Sequence, residues 1–193
     1  MSRSASSEWC VDDAHRLGPP VRRLDSPHHD ARPDARDIGL VVIHSISLPP
    51  GEFGGRYIDD LFLGRLDAHA HPYFRDIAAL RVSAHLCIFR DGQVTQYVPF
   101  DRRAWHAGVS SWQGRERCND FSIGIELEGS DDAPFEPVQY TALVRTLRAL
   151  FARYPRLGSS KMAGHSDIAP GRKTDPGPHF RWAHLHDLLA ASS

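Results

Sequence analysis

The segment 164–178 (GHSDIAPGRKTDPGP) concentrates side chains that bind metals or carry protons. It contains His165, Lys173 and Asp175 on a stretch stiffened by three prolines. Zn²⁺ binds neutral imidazole and carboxylate, and a catalytic zinc site has three protein ligands and one open position for water. His44, which lies in an apolar run much earlier in the chain, would complete such a ligand set. His44, His165 and Asp175 could therefore form one zinc site if the fold brings them together.

Each of these residues also has an ordinary structural interpretation. A lone histidine on an apolar strand, such as His44, is more often a core residue that bonds to the backbone. An aspartate before proline, such as Asp175, is commonly a turn or cap residue. Glu126 could be a strand-edge carboxylate in water and Lys173 a solvated ammonium. The separation from 44 to 165 is far longer than any compact metal motif, so the residues alone leave both interpretations open.

Two predicted strands carry two of these side chains. Residues 38–46 (IGLVVIHSI) form an almost continuous apolar run rich in β-branched residues, which is typical of a strand buried on both faces. His44 lies inside this run. Residues 121–128 (FSIGIELE) alternate between large apolar residues and small or acidic ones, as in a strand with one core face. Glu126 is therefore expected on the face opposite the apolar stripe.

The other elements follow from local patterns. Strands over 82–89 and 93–99 flank an Asp-Gly step and predict a hairpin. Apolar spacing of three and four residues predicts a helix over 137–153, and shorter helices are expected over 57–63 and 182–190. A short strand is expected over 162–168. We expect an irregular N-terminal arm over 1–37, rich in proline, and a single catalytic domain over 38–193.

Composition excludes several classes of function. The 193 residues include 23 Lys+Arg and 24 Asp+Glu, a formal charge of -1, so no basic excess is available for nucleic acid or an anionic membrane. Three cysteines are too few for a disulfide framework. No apolar run is long enough for a signal peptide or a membrane span. We expect a cytoplasmic monomer. Twelve histidines are unusually many and need an explanation.

Three stretches carry a resemblance to a known family. They are VVIHSISLPPGEFGG at 41–55, RVSAHLCIFRDGQVTQYVPFDRRAWHAGVSSWQGRERCNDFSIGIELEG at 81–129, and GHSDIAPGRKTDPGPHF at 164–180. Together they are similar to the cytosolic N-acetylmuramoyl-L-alanine amidases of AmpD type. The similarity extends from residue 26 almost to the C-terminus. It is specific enough to exclude chance convergence.

The resemblance implies a fold, an activity and a set of functional residues. The fold is α/β, with a central mixed β-sheet flanked by helices, as in peptidoglycan recognition proteins. The activity is zinc-dependent hydrolysis of the amide between the lactyl group of anhydro-N-acetylmuramic acid and L-alanine, in the recycling of cell-wall muropeptides. The implied residues are the zinc ligands His44, His165 and Asp175, the catalytic Glu126 and Lys173, and the substrate-binding Arg81, Trp105 and Arg117.

Two positions depart from the family pattern. Ser45 replaces the asparagine that usually follows the first metal histidine, and Ser166 replaces a frequent cysteine after His165. If the asparagine amide contacts substrate, the shorter hydroxyl of Ser45 would weaken or reshape that contact. The five implied metal and catalytic residues are unaffected.

Three other functions compete with this interpretation. Glu126 and Glu128 lie on one strand face, so they could form the carboxylate pair of a glycoside hydrolase, which needs no zinc. A peptidoglycan-binding module without activity is possible in the wider fold family when a metal ligand has been lost. A hydrolase with a Cys or Ser nucleophile is the weakest alternative, because neither Cys87 nor Cys118 has a neighbouring motif that supplies a base.

Overall fold

The fold is built on a mixed β-sheet, which the computed structural model describes within residues 9–191. Six strands form the central sheet in the order β1-β5-β4-β9-β3-β10; β4 and β5 are antiparallel, and the other neighbours are parallel. Two two-stranded ribbons, β2-β6 and β7-β8, lie outside it. The strands are β1 (Arg22–Arg23), β2 (His29–Ala31), β3 (Leu40–Ile46), β4 (Leu86–Ile88), β5 (Val94–Gln96), β6 (Arg102–Ala104), β7 (Ser111–Trp112), β8 (Arg115–Glu116), β9 (Ser122–Glu128) and β10 (Met162–Gly164).

Helices cover both faces of the central sheet. They are α1 (Tyr57–Phe62), α2 (Phe74–Ile77), α3 (Pro137–Arg153), α4 (His165–Ile168) and α5 (Trp182–Ala190), with a 3-10 helix over Cys118–Asp120. The mixed sheet with flanking helices confirms the predicted fold class. Among the described residues, no helix is both long enough and apolar enough to cross a membrane.

The main core lies between the sheet and α3. Alternate residues of β3 and β9, such as Ile43 and Ile125, are fully buried against Leu143, Leu147 and other apolar residues of α3. Pro137 occupies the first turn of α3, where its missing N–H leaves no intrahelical bond unmade. The helix has the predicted bounds because its apolar residues recur at helical spacing.

The opposite face of β9 is covered as well. All seven residues of β9 are buried, although alternation predicts one exposed face. Other segments cover that face, so Ser122, Gly124, Glu126 and Glu128 are buried too. Glu126 is therefore a buried carboxylate and not a strand-edge group in water.

Short elements differ most from the expectations. The predicted hairpin is present, with Gly92 at φ +82° in its turn, but its strands β4 and β5 have three residues each. The prediction of a strand over 162–168 is partly wrong, because β10 ends at Gly164 and α4 begins at His165. The segment 1–37, expected to be irregular, contributes β1 and β2 within its described part. The sequence analysis missed α2, β6, β7 and β8.

Glu128, the last residue of β9, fastens two loops to the sheet. Its side chain is buried, and its two oxygens accept the backbone N–H groups of Gly54 at 2.6 Å and of Arg90 at 3.1 Å. Gly54 lies in the loop after β3, and Arg90 lies in the hairpin between β4 and β5. Both oxygens are therefore occupied in holding backbone, which does not fit the glycoside hydrolase alternative.

We expect Glu128→Gln to lower the free energy of unfolding by about 1–3 kcal/mol, because the amide NH₂ group cannot accept a bond and leaves one buried N–H without a partner. Urea unfolding followed by circular dichroism measures the change. The matched control is Glu52→Gln, an exposed residue of the same loop, which should stay within about 0.5 kcal/mol of the starting protein. Equal stability of the two variants would contradict the role given to Glu128.

Candidate metal centre and cleft

Three neighbouring parallel strands bring distant residues to one place. β3 lies between β9 and β10, and the β3–β9 register sets His44 directly beside Glu126. The β3–β10 register sets Gly164 beside Ile43, so His165, the next residue, begins α4 at the level of His44. The sheet therefore closes the long separation between these residues, which sequence spacing could not do.

The predicted ligands His44, His165 and Asp175 form a compact triangle. His44 Nδ1 lies 3.0 Å from His165 Nδ1, and each of these nitrogens lies 3.0 Å from Asp175 Oδ2. Three atoms this close can all lie about 2.0–2.2 Å from one common point, which is the length of Zn–N and Zn–O bonds. The donor set of two imidazoles and one carboxylate is also one that Zn²⁺ prefers. The triangle therefore fits a zinc ion.

The protonation states of two of these groups suit a cation. Burial lowers the pKa of His44 to about 4, so the imidazole is neutral at pH 7. Burial opposes ionisation of Asp175, but its hydrogen bonds with His165 and His44 outweigh this effect and hold its pKa well below the usual range. The site thus presents a neutral imidazole and a carboxylate, the forms in which these groups bind metals.

A tight turn holds the Asp175 loop against β10 and α4. The Asp175 carbonyl accepts the N–H of Ser166 at 2.9 Å, and the Asp167 carboxylate accepts the N–H of Gly164 at 2.7 Å. A side chain at position 164 would meet Pro176 at 2.8 Å, so only glycine allows this approach. Backbone contacts therefore place Asp175 beside His165.

The three residues of the triangle line a cleft of about 550 Å³. Lys173 and Glu126 are both at its wall. Glu126 is 8% exposed, and its Oε2 is buried with no hydrogen-bond partner among the described residues. Burial, helped by the negative charge of Asp175 and opposed by Lys173, raises the pKa of Glu126 well above its ordinary value. Other wall residues are Ser45, Leu48, Leu61, Tyr73, Trp105 and Arg172.

The three residues expected to bind substrate have different positions. The Trp105 ring borders the cleft. The guanidinium of Arg81 lies 5.4 Å from its centroid, and the ring of His28 stacks on it at 6.1 Å. Arg81 is exposed beside it. Arg117 does not border this cleft. Its Nε lies 3.1 Å from Asp120, and it lines a second cavity, which shares Arg172 with the first. Trp105 and Arg81 are thus together, and Arg117 is apart from them.

The cysteine alternative does not fit the site. Burial raises the pKa of both Cys87 and Cys118, so neither thiol forms a reactive thiolate at neutral pH. All three metal-ligand candidates are present and close together, which argues against a binding module that has lost one of them.

Sequence reasoning missed the groups behind the two histidines. His106, the Ala107 carbonyl and Asn119 lie directly behind the triangle. One signal could have indicated a close approach there: Gly124 interrupts a strongly apolar strand. It does not reveal which side chain fills the space.

Comparison with known proteins identifies the family. A family model described as N-acetylmuramoyl-L-alanine amidase matches residues 34–178. The 1,6-anhydro-N-acetylmuramyl-L-alanine amidase AmpD of Citrobacter freundii is 61% identical over 173 residues, 90% of this chain and 92% of that protein. A crystal structure of a selenomethionine AmpD derivative matches with a TM-score of 0.88 and 59% identity, covering 92% of this chain and 98% of that one.

A third comparison includes a bound substrate. The Escherichia coli amidase AmiD, in complex with the substrate anhydro-N-acetylmuramic acid-L-Ala-D-gamma-Glu-L-Lys, matches with a TM-score of 0.57 and 29% identity. That match covers 93% of this chain and 65% of the AmiD chain. Together with the fold and the high-identity relatives, the comparisons confirm the predicted family: this chain belongs to the N-acetylmuramoyl-L-alanine amidases, as a member of AmpD type.

Proposed function

We propose that this enzyme uses zinc to hydrolyse the amide between the lactyl group of anhydro-N-acetylmuramic acid and L-alanine. The observation that carries the proposal is the 3.0 Å triangle of His44, His165 and Asp175, with the buried carboxylate of Glu126 beside His44 in the wall of the same cleft. These residues supply a metal ligand set and a proton carrier at one point. Amide hydrolysis needs both.

The three ligands would hold Zn²⁺ with one position left for water or substrate. Zinc so bound supplies Lewis acidity, which polarises a carbonyl and lowers the pKa of bound water from 15.7 to about 7. The remaining chemistry belongs to the chain's own residues.

Glu126 is the proposed proton carrier. Burial of Oε2 without a hydrogen-bond partner raises the pKa of Glu126, so its carboxylate, the form that a bound cation would favour, is a stronger base than an ordinary glutamate and is suited to take a proton from the attacking water. It then delivers that proton to the nitrogen of L-alanine, which leaves poorly as an anion. Glu126 lies in the cleft wall beside His44, so it can exchange the proton directly, without a second side chain as a relay.

Lys173 is the proposed stabiliser of negative charge on the reacting carbonyl oxygen. It lies two residues before Asp175 and lines the same cleft, where it opposes the pKa rise of Glu126. An ammonium near the reacting carbonyl would stabilise the negative charge that develops there.

The substrate class is supported by relatives and by the cleft wall. The AmpD relatives are named for action on 1,6-anhydro-N-acetylmuramyl-L-alanine, and AmiD was solved with an anhydro-muramyl tripeptide. We propose that the Trp105 ring packs against the sugar and that Arg81, stacked on it, binds a carboxylate of the peptide. Arg117 is proposed for the peptide end of the substrate.

We also propose a cytoplasmic role in peptidoglycan recycling, where anhydro-muropeptides are degraded. The three cysteines are free thiols, and two of them are buried without a partner cysteine. Free thiols suit a reducing compartment.

We expect His165→Ala and Asp175→Ala to lose bound zinc and, with it, amidase activity, because two ligands do not retain the ion at ordinary concentrations. Metal analysis of the purified protein and release of peptide from an anhydro-muramyl tripeptide measure the two effects. The control is His69→Ala, an exposed loop histidine, which should retain both. Full activity in either ligand variant would contradict the zinc site.

We expect Glu126→Gln to retain zinc and lower kcat by about 10²–10⁴, the range of a general acid–base group. Lys173→Ala should also retain zinc and lower kcat by about 10²–10³. Steady-state kinetics with metal analysis separates these effects from metal loss. Lys161→Ala, which does not line the cleft, is the control for loss of an ammonium. A kcat within threefold of the starting enzyme in either variant would contradict the assigned role.

We expect Glu126→Gln to stabilise the metal-free protein at pH 7 by about 1–3 kcal/mol, since it removes an unpaired buried carboxyl. The pKa of Glu126 is raised in the folded state above the ordinary value of 4.5 that it has in the unfolded state. Between the unfolded and the folded pKa, the folded state binds more protons than the unfolded state, so stability falls as the pH rises from 4.5 toward the folded pKa. The gain should therefore disappear as the pH is lowered to about 4.5.

Urea unfolding at pH 7 and pH 4.5, with excess chelator, measures this difference. Glu116→Gln, an exposed glutamate, should show no pH-dependent gain. A Glu126→Gln protein that is less stable than the starting protein at pH 7 would show that the carboxylate is not under strain in its site.

A further inference from the structure

The outer nitrogens of the two histidines in the triangle are held by two consecutive residues. His44 Nε2 lies 2.9 Å from His106 Nδ1, and His165 Nε2 lies 3.1 Å from the Ala107 carbonyl oxygen. One short segment after β6 therefore contacts both imidazoles on the side away from the triangle.

These contacts fix which nitrogen carries the proton. A carbonyl oxygen only accepts, so His165 donates its Nε2–H to Ala107, and Nδ1 is the ring nitrogen that remains for a cation. If His44 binds a cation through Nδ1, its proton is on Nε2 and is donated to His106 Nδ1. The Nε2–H of His106 then faces Ser122 Oγ at 3.2 Å. With a cation in the triangle, both histidines would therefore present the lone pair of Nδ1 to it.

A single side-chain atom fixes the segment itself. Asn119 Oδ1 accepts the backbone N–H of His106 at 3.1 Å and that of Ala107 at 2.8 Å. Arg172 donates to the Ala107 carbonyl at 2.7 Å from the opposite side. The position of the carbonyl that holds His165 therefore depends on Asn119.

The sheet provides room for the His106 ring. A Cβ atom at Gly124 would lie 2.4 Å from Cγ of His106, so only a glycine in β9 lets the ring reach His44. Glycine weakens a strand interior, and its place here is explained by this close approach.

We infer that His106, together with the Ala107 carbonyl and Asn119, forms the outer shell of the metal site and orients its two imidazole ligands. The inference rests on the proposed zinc site. His106 and Asn119 are positioning residues that act through His44 and His165. Outer partners of this kind typically change metal affinity by 10–100-fold.

The test compares two substitutions of His106 that both remove the ring, only one of which keeps a hydrogen-bond acceptor for His44. The metal-free protein is titrated with Zn²⁺ in competition with a chromophoric chelator, and Co²⁺ replaces zinc for an absorption spectrum. His106→Ala should raise the Zn²⁺ dissociation constant by about 10–100-fold and alter the Co²⁺ bands. His106→Asn loses the same ring but keeps an oxygen near the Nδ1 position, and its dissociation constant should stay within about threefold of the starting protein.

Asn119 provides a second pair that does not disturb the His106 side chain. Asn119→Ala should weaken Zn²⁺ binding about tenfold, whereas Asn119→Asp, which keeps an acceptor oxygen, should bind nearly as well as the starting protein. This pair decides the question if His106→Ala does not fold.

Leu147→Ala is the control for a purely structural effect. Leu147 is fully buried in α3 on the other face of the sheet, so its truncation lowers stability without touching the outer shell. Its Zn²⁺ affinity should be unchanged.

Three results would overturn the inference: equal weakening in His106→Ala and His106→Asn, no weakening in either alanine variant, or equal weakening in Leu147→Ala. Failure of the starting protein to bind Zn²⁺ would instead refute the zinc site itself. The two failures are therefore distinguishable.

Discussion

The site depends on the in-register parallel pairing of β10, β3 and β9. Side chains alternate along a strand, so burial of Val41 and Ile43 against α3 obliges Val42 and His44 to face the other side. A slip of one residue would turn His44 into the apolar core. The same ladder sets Glu126 beside His44. Hydrophobic packing on one face of the sheet thus determines where the polar chemistry lies on the other.

Burial gives this arrangement its electrostatic character. Asp175 remains ionised because two imidazoles hydrogen-bond to it, whereas Glu126 has no such partner among the described residues and holds its proton more tightly. Two carboxyls in one site therefore have pKa values displaced in opposite directions. A bound divalent cation would be the largest charge nearby and would favour the ionised form of Glu126. The protonation of Glu126 is thus sensitive to what the triangle holds, and coupling of this kind suits a proton carrier.

Secondary-structure elements could be predicted from the sequence where local patterns mark them, and not where contacts with distant residues define them. β3 and α3 were predicted well because their apolar periodicity spans seven and seventeen residues. β6 has three residues, β7 and β8 have two each, and pairing partners define all three, so no local pattern marks them. At His165, a strand pattern continues into a helical turn because Asp167 binds the N–H of Gly164.

His44 and Asp175 were ambiguous as single residues, and only the family resemblance predicted that they meet. Asn119 gave no sequence signal, because it acts on backbone N–H groups of residues more than ten positions away.

Four of the twelve histidines lie together in the same interior. Four imidazoles follow one another from the cleft into the protein, with ring centroids 4.4 Å apart for His165 and His44, 5.0 Å for His44 and His106, and 5.9 Å for His106 and His85. Burial lowers the pKa of the last three below the ordinary value, to about 4 for His44 and well below it for His106 and His85. These three rings are therefore neutral at pH 7.

Neutrality matters because an imidazolium beside the triangle would repel a cation. A neutral imidazole still has one donor and one acceptor, so it can orient the next ring without adding charge. His85 shows the same logic at the far end, where its Nδ1 accepts the N–H of Gly124 at 3.0 Å and its Nε2 lies 3.0 Å from the Arg102 carbonyl. A row of lysines or carboxylates could not do this, because each would bring its own charge. Buried histidine is the side chain that lets a polar chain extend from the sheet to the proposed cation site without adding charge of its own.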